Sequence, residues 1–126
     1  MTQKNLTIRR LLSPAARSTT TEGSAVDLAA YIHPGGRGMK AKLDLSATAG
    51  TTPSVAVKIQ DSDTTTAADF TDVTGAVFTT VTATTGAEEE IHFVTNKRYV
   101  RALMTITANT TSVTGGVYVL NEKLFT

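Results

Sequence analysis

The sequence predicts an all-β domain, an antiparallel β-sandwich of about eight strands with a jelly-roll-like arrangement, and three observations predict it. Thr is the commonest residue, followed by Ala and Val, while helix formers such as Glu and Leu are sparse by comparison. β-branched side chains lose rotamer freedom in a helix but fit the pleated surface of a sheet. Apolar residues recur with a period of two, the spacing that puts alternate side chains on opposite faces of a strand. Short alternating runs are separated by turn residues and no stretch carries a convincing helical period, which argues for a sandwich or barrel and against βαβ units.

The clearest run sets Met39, Ala41, Leu43, Leu45 and Ala47 against Lys40, Lys42, Asp44 and Ser46. Val55, Val57 and Ile59 repeat the pattern against Ala56, Lys58 and Gln60. The intervening Ala49-Gly50-Thr51-Thr52-Pro53 supplies turn chemistry, so residues 39–60 read as a β-hairpin with a loop longer than two residues. Upstream, Val26, Leu28, Ala30 and Ile32 alternate until His33-Pro34-Gly35-Gly36 ends the strand. Residues 70–73 and 77–82 flank Thr74-Gly75, a tight-turn signal. Residues 90–94 form a short strand entered from Glu88-Glu89-Glu90. In residues 98–108, Val100, Ala102, Met104 and Ile106 share one face, and Tyr99, Arg101, Leu103 and Thr105 the other. Residues 116–124 close the chain, with Val117 and Val119 opposite Tyr118 and Leu120.

Residues 1–23 differ from the sandwich expected over residues 24–126. Leu6, Ile8 and Leu12 give a strand-like side, Pro14 interrupts it, and Ser18-Thr19-Thr20-Thr21-Glu22-Gly23 reads as an exposed connector. Lys4, Arg9, Arg10 and Arg17 make the segment basic. It reads either as an edge strand or solvated terminus, or as an extended arm that reaches a neighbouring subunit, since apolar residues in a detached arm need a partner surface. On the arm reading, Lys4, Leu6, Ile8, Arg9, Arg10 and Leu12 are candidate partner-binding residues. Arg37, in the flexible Gly35-Gly36-Arg37-Gly38 loop, is another candidate if the loop meets a partner's carboxylates, against the plainer reading of a simple connection.

A chain of 126 residues can bury one ordinary core, and a net charge of +1 gives no general drive toward nucleic acid or an anionic membrane. Without cysteine there are no disulfides or thiolate metal sites, so stability must come from packing or assembly. No segment has the length of a membrane-spanning helix, and Arg9 and Arg10 interrupt the short apolar run near the start, so the expectation is a protein made soluble in the cytoplasm.

Candidate chemistry fails on geometry. His33 and His92 are lone imidazoles with no local carboxylates to complete a metal site. Counted from Asp61, the residues Asp61, Asp63, Asp69 and Asp72 echo a calcium loop, but Thr66 stands where a Gly is required and Asp72 where a bidentate Glu is required. The glycine loop lacks the strand–loop–helix setting of a phosphate site, and no Ser lies in a nucleophile elbow. Lys97, Arg98 and Arg101 around Tyr99 invite a base-stacking reading, yet Glu88, Glu89 and Glu90 stand near enough in sequence to neutralise them across a hairpin. The expectation is a protein without catalysis, cofactor, metal or nucleic acid.

Several runs resemble small virion proteins of tailed phages. They are Leu43-Asp44-Leu45-Ser46-Ala47-Thr48, Gly50-Thr51-Thr52-Pro53-Ser54-Val55-Ala56-Val57-Lys58-Ile59-Gln60-Asp61-Ser62, Phe70-Thr71-Asp72-Val73-Thr74-Gly75, Lys97-Arg98-Tyr99-Val100-Arg101-Ala102 and Gly116-Val117-Tyr118-Val119-Leu120. The family resembled is the β-sandwich head decoration, or cement, proteins that stabilise capsids, and the likeness covers roughly residues 27–123. It implies a structural protein on the outside of the virion capsid, a dimer or trimer that bridges major capsid protein subunits. Two other readings stay open: a sandwich module that recognises host-surface glycan, and a tail or neck component of the virion.

Overall fold

A computed structural model describes residues 3–28, 37–51, 53–82, 84–107 and 110–125. Among the described residues nine strands form two antiparallel sheets packed face to face. In chain order the strands are β1 (Gln3–Arg17), β2 (Thr21–Glu22), β3 (Val26–Asp27), β4 (Arg37–Gly50), β5 (Val55–Ser62), β6 (Thr71–Val77), β7 (Ala87–Thr95), β8 (Tyr99–Ile106) and β9 (Thr110–Phe125). A 3-10 turn, Ala67–Asp69, lies between β5 and β6. One sheet has the order β1-β9-β4-β7; the other runs β2-β8-β5-β6, with β3 also paired to β8.

The order is that of a jelly roll. β2 and β3 lie in succession along β8, from Thr21 opposite Met104 to Asp27 opposite Tyr99, and Gly23 N–H donates to Ala102 O (2.8 Å) between them. They therefore act as one interrupted strand. The chain then pairs first strand with last (β1 with β9), second with second-last (β2/β3 with β8), then β4 with β7 and β5 with β6. Rolling such a nested set of pairs throws alternate pairs into opposite sheets.

The core follows the alternation in the sequence. Met39, Ala41, Leu43 and Leu45 of β4, with Val117 and Val119 of β9, face Val55, Val57 and Ile59 of β5 and Val100, Ala102, Met104 and Ile106 of β8; all are buried. The alternation breaks once in β4. A register shift between Leu45 and Ala47 turns Ala47 outward and buries Thr48 in its place. A bulge adds one residue to one strand, so every later side chain changes face.

Three expectations on connectivity change. Residues 39–60 are not a hairpin: β4 pairs with β7 and β9, β5 with β6 and β8, in opposite sheets. Alternation says which face is buried, not which sheet holds the strand. The four residues between β4 and β5 can span about 13 Å, enough to cross the roughly 10 Å between packed sheets. The crossing is tied down where Thr110 Oγ1 accepts from Ser54 N–H (2.8 Å) and Ser54 O accepts from Thr107 N–H (3.2 Å).

Thr74-Gly75 is likewise not a hairpin turn but the crest of a bulge inside β6. The partners step from Asp72 opposite Gln60 to Val77 opposite Lys58, leaving residues 73–76 looped out. Gly75 takes φ +79°, a conformation that side chains disfavour, while Val73 and Ala76 turn into the core.

Of the two readings of the first segment, edge strand or detached arm, the structure shows the edge strand, built into the sandwich. β1 pairs with β9 from Gln3 opposite Phe125 to Arg17 opposite Val113, and Leu11 and Leu12 are both buried. Register shifts at residues 10–12 and 12–15 let adjacent leucines both face inward, and Pro14, which has no N–H to donate, stands at this outermost strand. The expected strand residues Ala30 and Ile32 lie outside the described residues.

Ile59 is fully buried in the middle of β5. Ile59→Ala is expected to lower stability by about 2–5 kcal/mol, read from the urea midpoint, because the cavity it leaves is walled by both sheets.

Candidate functional site

The two outer faces of the sandwich are chemically different. On the β2-β8-β5-β6 sheet a ladder of side chains crosses all four strands. Arg101 donates through Nη1 to Glu22 Oε2 (3.1 Å) and through Nε to Gln60 Oε1 (2.9 Å). Gln60 Nε2 donates to Asp72 Oδ1 and Lys58 Nζ to Asp72 Oδ2, both at 2.9 Å. The Phe70 ring lies 4.4 Å from the Arg101 guanidinium carbon and covers it, so an arginine on an outer face is only 7% exposed. The planar guanidinium allows stacking and two directed hydrogen bonds together. Lys58 first, and then Gln60, hold the Asp72 carboxyl below its ordinary value of 3.8.

The other charged residues near this sheet are also engaged. Asp61 accepts from Thr95 Oγ1 (2.7 Å) across the end of the sandwich, Asp63 from Lys97 Nζ (3.1 Å), and Asp69 from Thr64 Oγ1 (2.6 Å). The four aspartates of the calcium-like spacing thus turn to four separate sets of partners. Arg98 forms a two-pronged pair with Asp27 (3.1 and 3.0 Å) and its guanidinium carbon lies 5.1 Å from the centre of the Tyr99 ring, while Arg101 is the buried member of the ladder, so the Tyr99 face is taken by Arg98 and Arg101 does not join it. Glu88, Glu89 and Glu90 do not face them, because β7 and β8 lie in opposite sheets. Glu90 instead meets Lys40 of β4 (3.6 Å), and Glu89 accepts from Thr79 N–H (2.9 Å).

The outer face of the β1-β9-β4-β7 sheet carries the unengaged charge. Its cross-strand rows read Arg10–Tyr118–Lys42–Glu90 and, one step along, Gly116–Asp44–Glu88. Among the described residues, the side chains of Arg10, Lys42, Asp44 and Glu88 make no hydrogen bond or ion pair. Tyr118 is half-buried and leans over Gly116: a Cβ at Gly116 would stand 3.2 Å from the Tyr118 hydroxyl and 2.7 Å from Leu12 O. Beside it Pro14, Asp44, Ser46 and Gly116 line an open depression of roughly 280 Å³. Further along, Val94 of β7 is 61% exposed.

Of the candidate partner-binding residues, Arg10 is exposed on β1 and Arg9 is half-buried, its Nη1 donating to Asp27 O (3.3 Å) and so bridging the two sheets. Leu12 is a core residue, 4% exposed, and its surface is taken by packing within the chain. Lys4, Leu6 and Ile8 stand on β1 opposite Leu124, Glu122 and Leu120, and Arg37 opens β4 opposite Thr95; their side chains lie outside the described ones. His92 is exposed on β7 opposite Lys40, and His33 lies outside the described residues. Sequence reasoning did not find the Arg101 ladder. Its signal was a basic residue on β8, Gln60 on β5 and Phe70 just before β6, whose adjacency no period reveals.

No family model matches the chain, and no curated protein matches it. Among solved structures it is similar to the SPBc2 prophage-derived protein YomS, with a TM-score of 0.50 over 98% of this chain and 96% of that one. At 12% identity the likeness is one of fold.

Arg101→Ala is expected to destabilise the fold by about 1–3 kcal/mol in urea denaturation, since Gln60 Oε1 loses its donor in a buried setting. Arg101→Lys, which keeps the charge but not the fork, recovers part of the loss. Asp72 also gives a pH signature. Its carboxyl is depressed in the folded state, so its contribution is complete above the ordinary value of 3.8 and is lost as pH falls through the folded value. Urea midpoints of Asp72→Asn should therefore fall less steeply than wild type as pH is lowered through that range.

Proposed function

We propose that this chain is a structural virion protein of a tailed phage, a decoration or cement protein that binds the outside of the assembled head and bridges major capsid subunits. The observation that carries the reading is the likeness of fold, over nearly the whole of both chains, to a prophage-derived protein. The contrast between the two outer faces supports it. One face satisfies its own charges, whereas the other presents Arg10, Lys42, Asp44 and Glu88 to a partner.

In this role the work is done by surfaces rather than by catalysis. A ligand that binds the assembled shell better than free subunits stabilises the shell by mass action. Repetition around the head multiplies a modest contact, because neighbouring attachments raise one another's effective concentration. The protein is made in the host cytoplasm and ends on the capsid surface.

The depression beside Tyr118 favours a second reading, a module for host-surface glycan, since an aromatic ring next to a free carboxylate suits a sugar ring. Cosedimentation with mature and undecorated heads separates the two. The cement reading expects saturable binding to mature heads and a higher temperature of head rupture when the protein is added. No binding to either head, together with tight binding on a glycan array, would reject it.

A further inference from the structure

A free sheet edge offers unpaired N–H and C=O groups to any passing strand, and folded proteins blunt such edges with short strands, bulges, proline and charge. Three of these devices are visible here. In the β2-β8-β5-β6 sheet one edge is the short, interrupted β2/β3 and the other is the bulged β6. In the β1-β9-β4-β7 sheet, β1 is irregular from Arg10 to Ala15 and carries Pro14. Two regular edges are left: residues 3–10 of β1, in unbroken register with β9, and β7, matched residue for residue with β4 from Arg37–Thr95 to Leu45–Ala87. Among the described residues neither is hydrogen-bonded to a strand on its outer side, although β6 of the other sheet packs beside β7.

These two edges carry opposite charge. β7 has Glu88, Glu89 and Glu90; residues 3–10 of β1 have Lys4, Arg9 and Arg10. Two β7 edges set together would oppose glutamates to glutamates, and two β1 edges would oppose cations to cations, so charge selects the unlike pair. The geometry agrees. Successive strands of the sheet are antiparallel, so β1 and β7 run in opposite directions, and a copy displaced sideways along the sheet brings its β1 antiparallel against β7. Arg10, Tyr118, Lys42 and Glu90 share one row across the sheet, so unshifted pairing sets Arg10 of one copy opposite Glu90 of the next, with the unengaged Glu88 in the adjoining row.

We propose that residues 3–10 of β1 pair with β7 of a second copy of this chain, head to tail, so that the four-stranded sheet continues from copy to copy. The contact is heterologous: each copy uses one edge to receive and the other to donate, which builds a ring where the rotation closes and a filament where it does not. The assembly rests on strand pairing and charge and does not require the capsid reading, so either can fail without the other.

Sedimentation velocity of the whole chain over a range of concentrations, at low and high salt, tests it. Wild type is expected to form species larger than a monomer that dissociate as salt rises. Arg10→Glu sets a glutamate opposite Glu90 of the next copy and lowers the charge of the basic edge, while the double variant Glu88→Lys/Glu90→Lys weakens the acidic edge or reverses it, so each alone should associate about tenfold more weakly or worse. An equimolar mixture of the two should regain assembly, because each supplies the edge that the other lacks. Far-UV circular dichroism confirms that the variants fold, and Arg10→Gln with Glu88→Gln repeats the test should a reversal unfold the chain. Wild type that stays monomeric, association indifferent to both reversals, or a mixture no better than its components would each overturn the proposal.

Discussion

The fold depends on β9. It lies between β1 and β4 and so joins β1 to the middle of the sheet, and it brings Val113, Val117 and Val119 to the core. Without it β1 has no neighbour within its sheet, and β4 becomes an edge. The strand that completes the four-stranded sheet follows all of its partners in the chain, and they are far away in sequence, from Gln3 to Gly50. Pairings of such range must overcome loop-closure entropy before packing rewards them, so the jelly roll is a slow-folding design held by a late step.

Crowding around β9 has its own requirements. Gly115 and Gly116 sit where the bulged part of β1 and the shifted register of β4 both press on the strand; a Cβ on Gly115 would come 2.2 Å from Asp44 O. Substitution there would push apart three strands at once. The same lack of side chains opens the depression beside Tyr118, so a demand of packing inside the sheet shapes the surface outside it. On the opposite sheet the outer face is fastened instead by Arg101, whose ladder ties β2, β8, β5 and β6 with directed hydrogen bonds.

The strands and their buried faces were legible in the sequence because the period of two is local. Met39 to Leu45, Val55 to Ile59 and Val100 to Ile106 face inward as their spacing implies. Which sheet each strand joins was not legible: residues 39–60 carry the pattern of a hairpin, yet the short loop crosses the core. Bulges were hidden too, since Ala47 continues the alternation that the backbone abandons, and the Thr74-Gly75 signal serves a bulge as well as it serves a turn. β1 was obscured by the Leu11-Leu12 doublet and Pro14, which break the period although the strand continues through them. Nor could the sequence assign ion pairs: Glu88, Glu89 and Glu90 lie close to Lys97 along the chain, but Asp63, Asp27 and Glu22 are the acids that meet Lys97, Arg98 and Arg101.

The pairing of Gln3 with Phe125 sets the two ends of the described chain side by side on neighbouring antiparallel strands. A short peptide could join them as a turn joins any hairpin, turning β1 and β9 into consecutive strands. The chain could then be opened in the exposed Ala67–Asp69 turn, at the far end of the nested pairs. Since every pairing in a jelly roll is between strands counted from opposite ends, such a circular rearrangement leaves the set of partners intact and only changes where the counting begins.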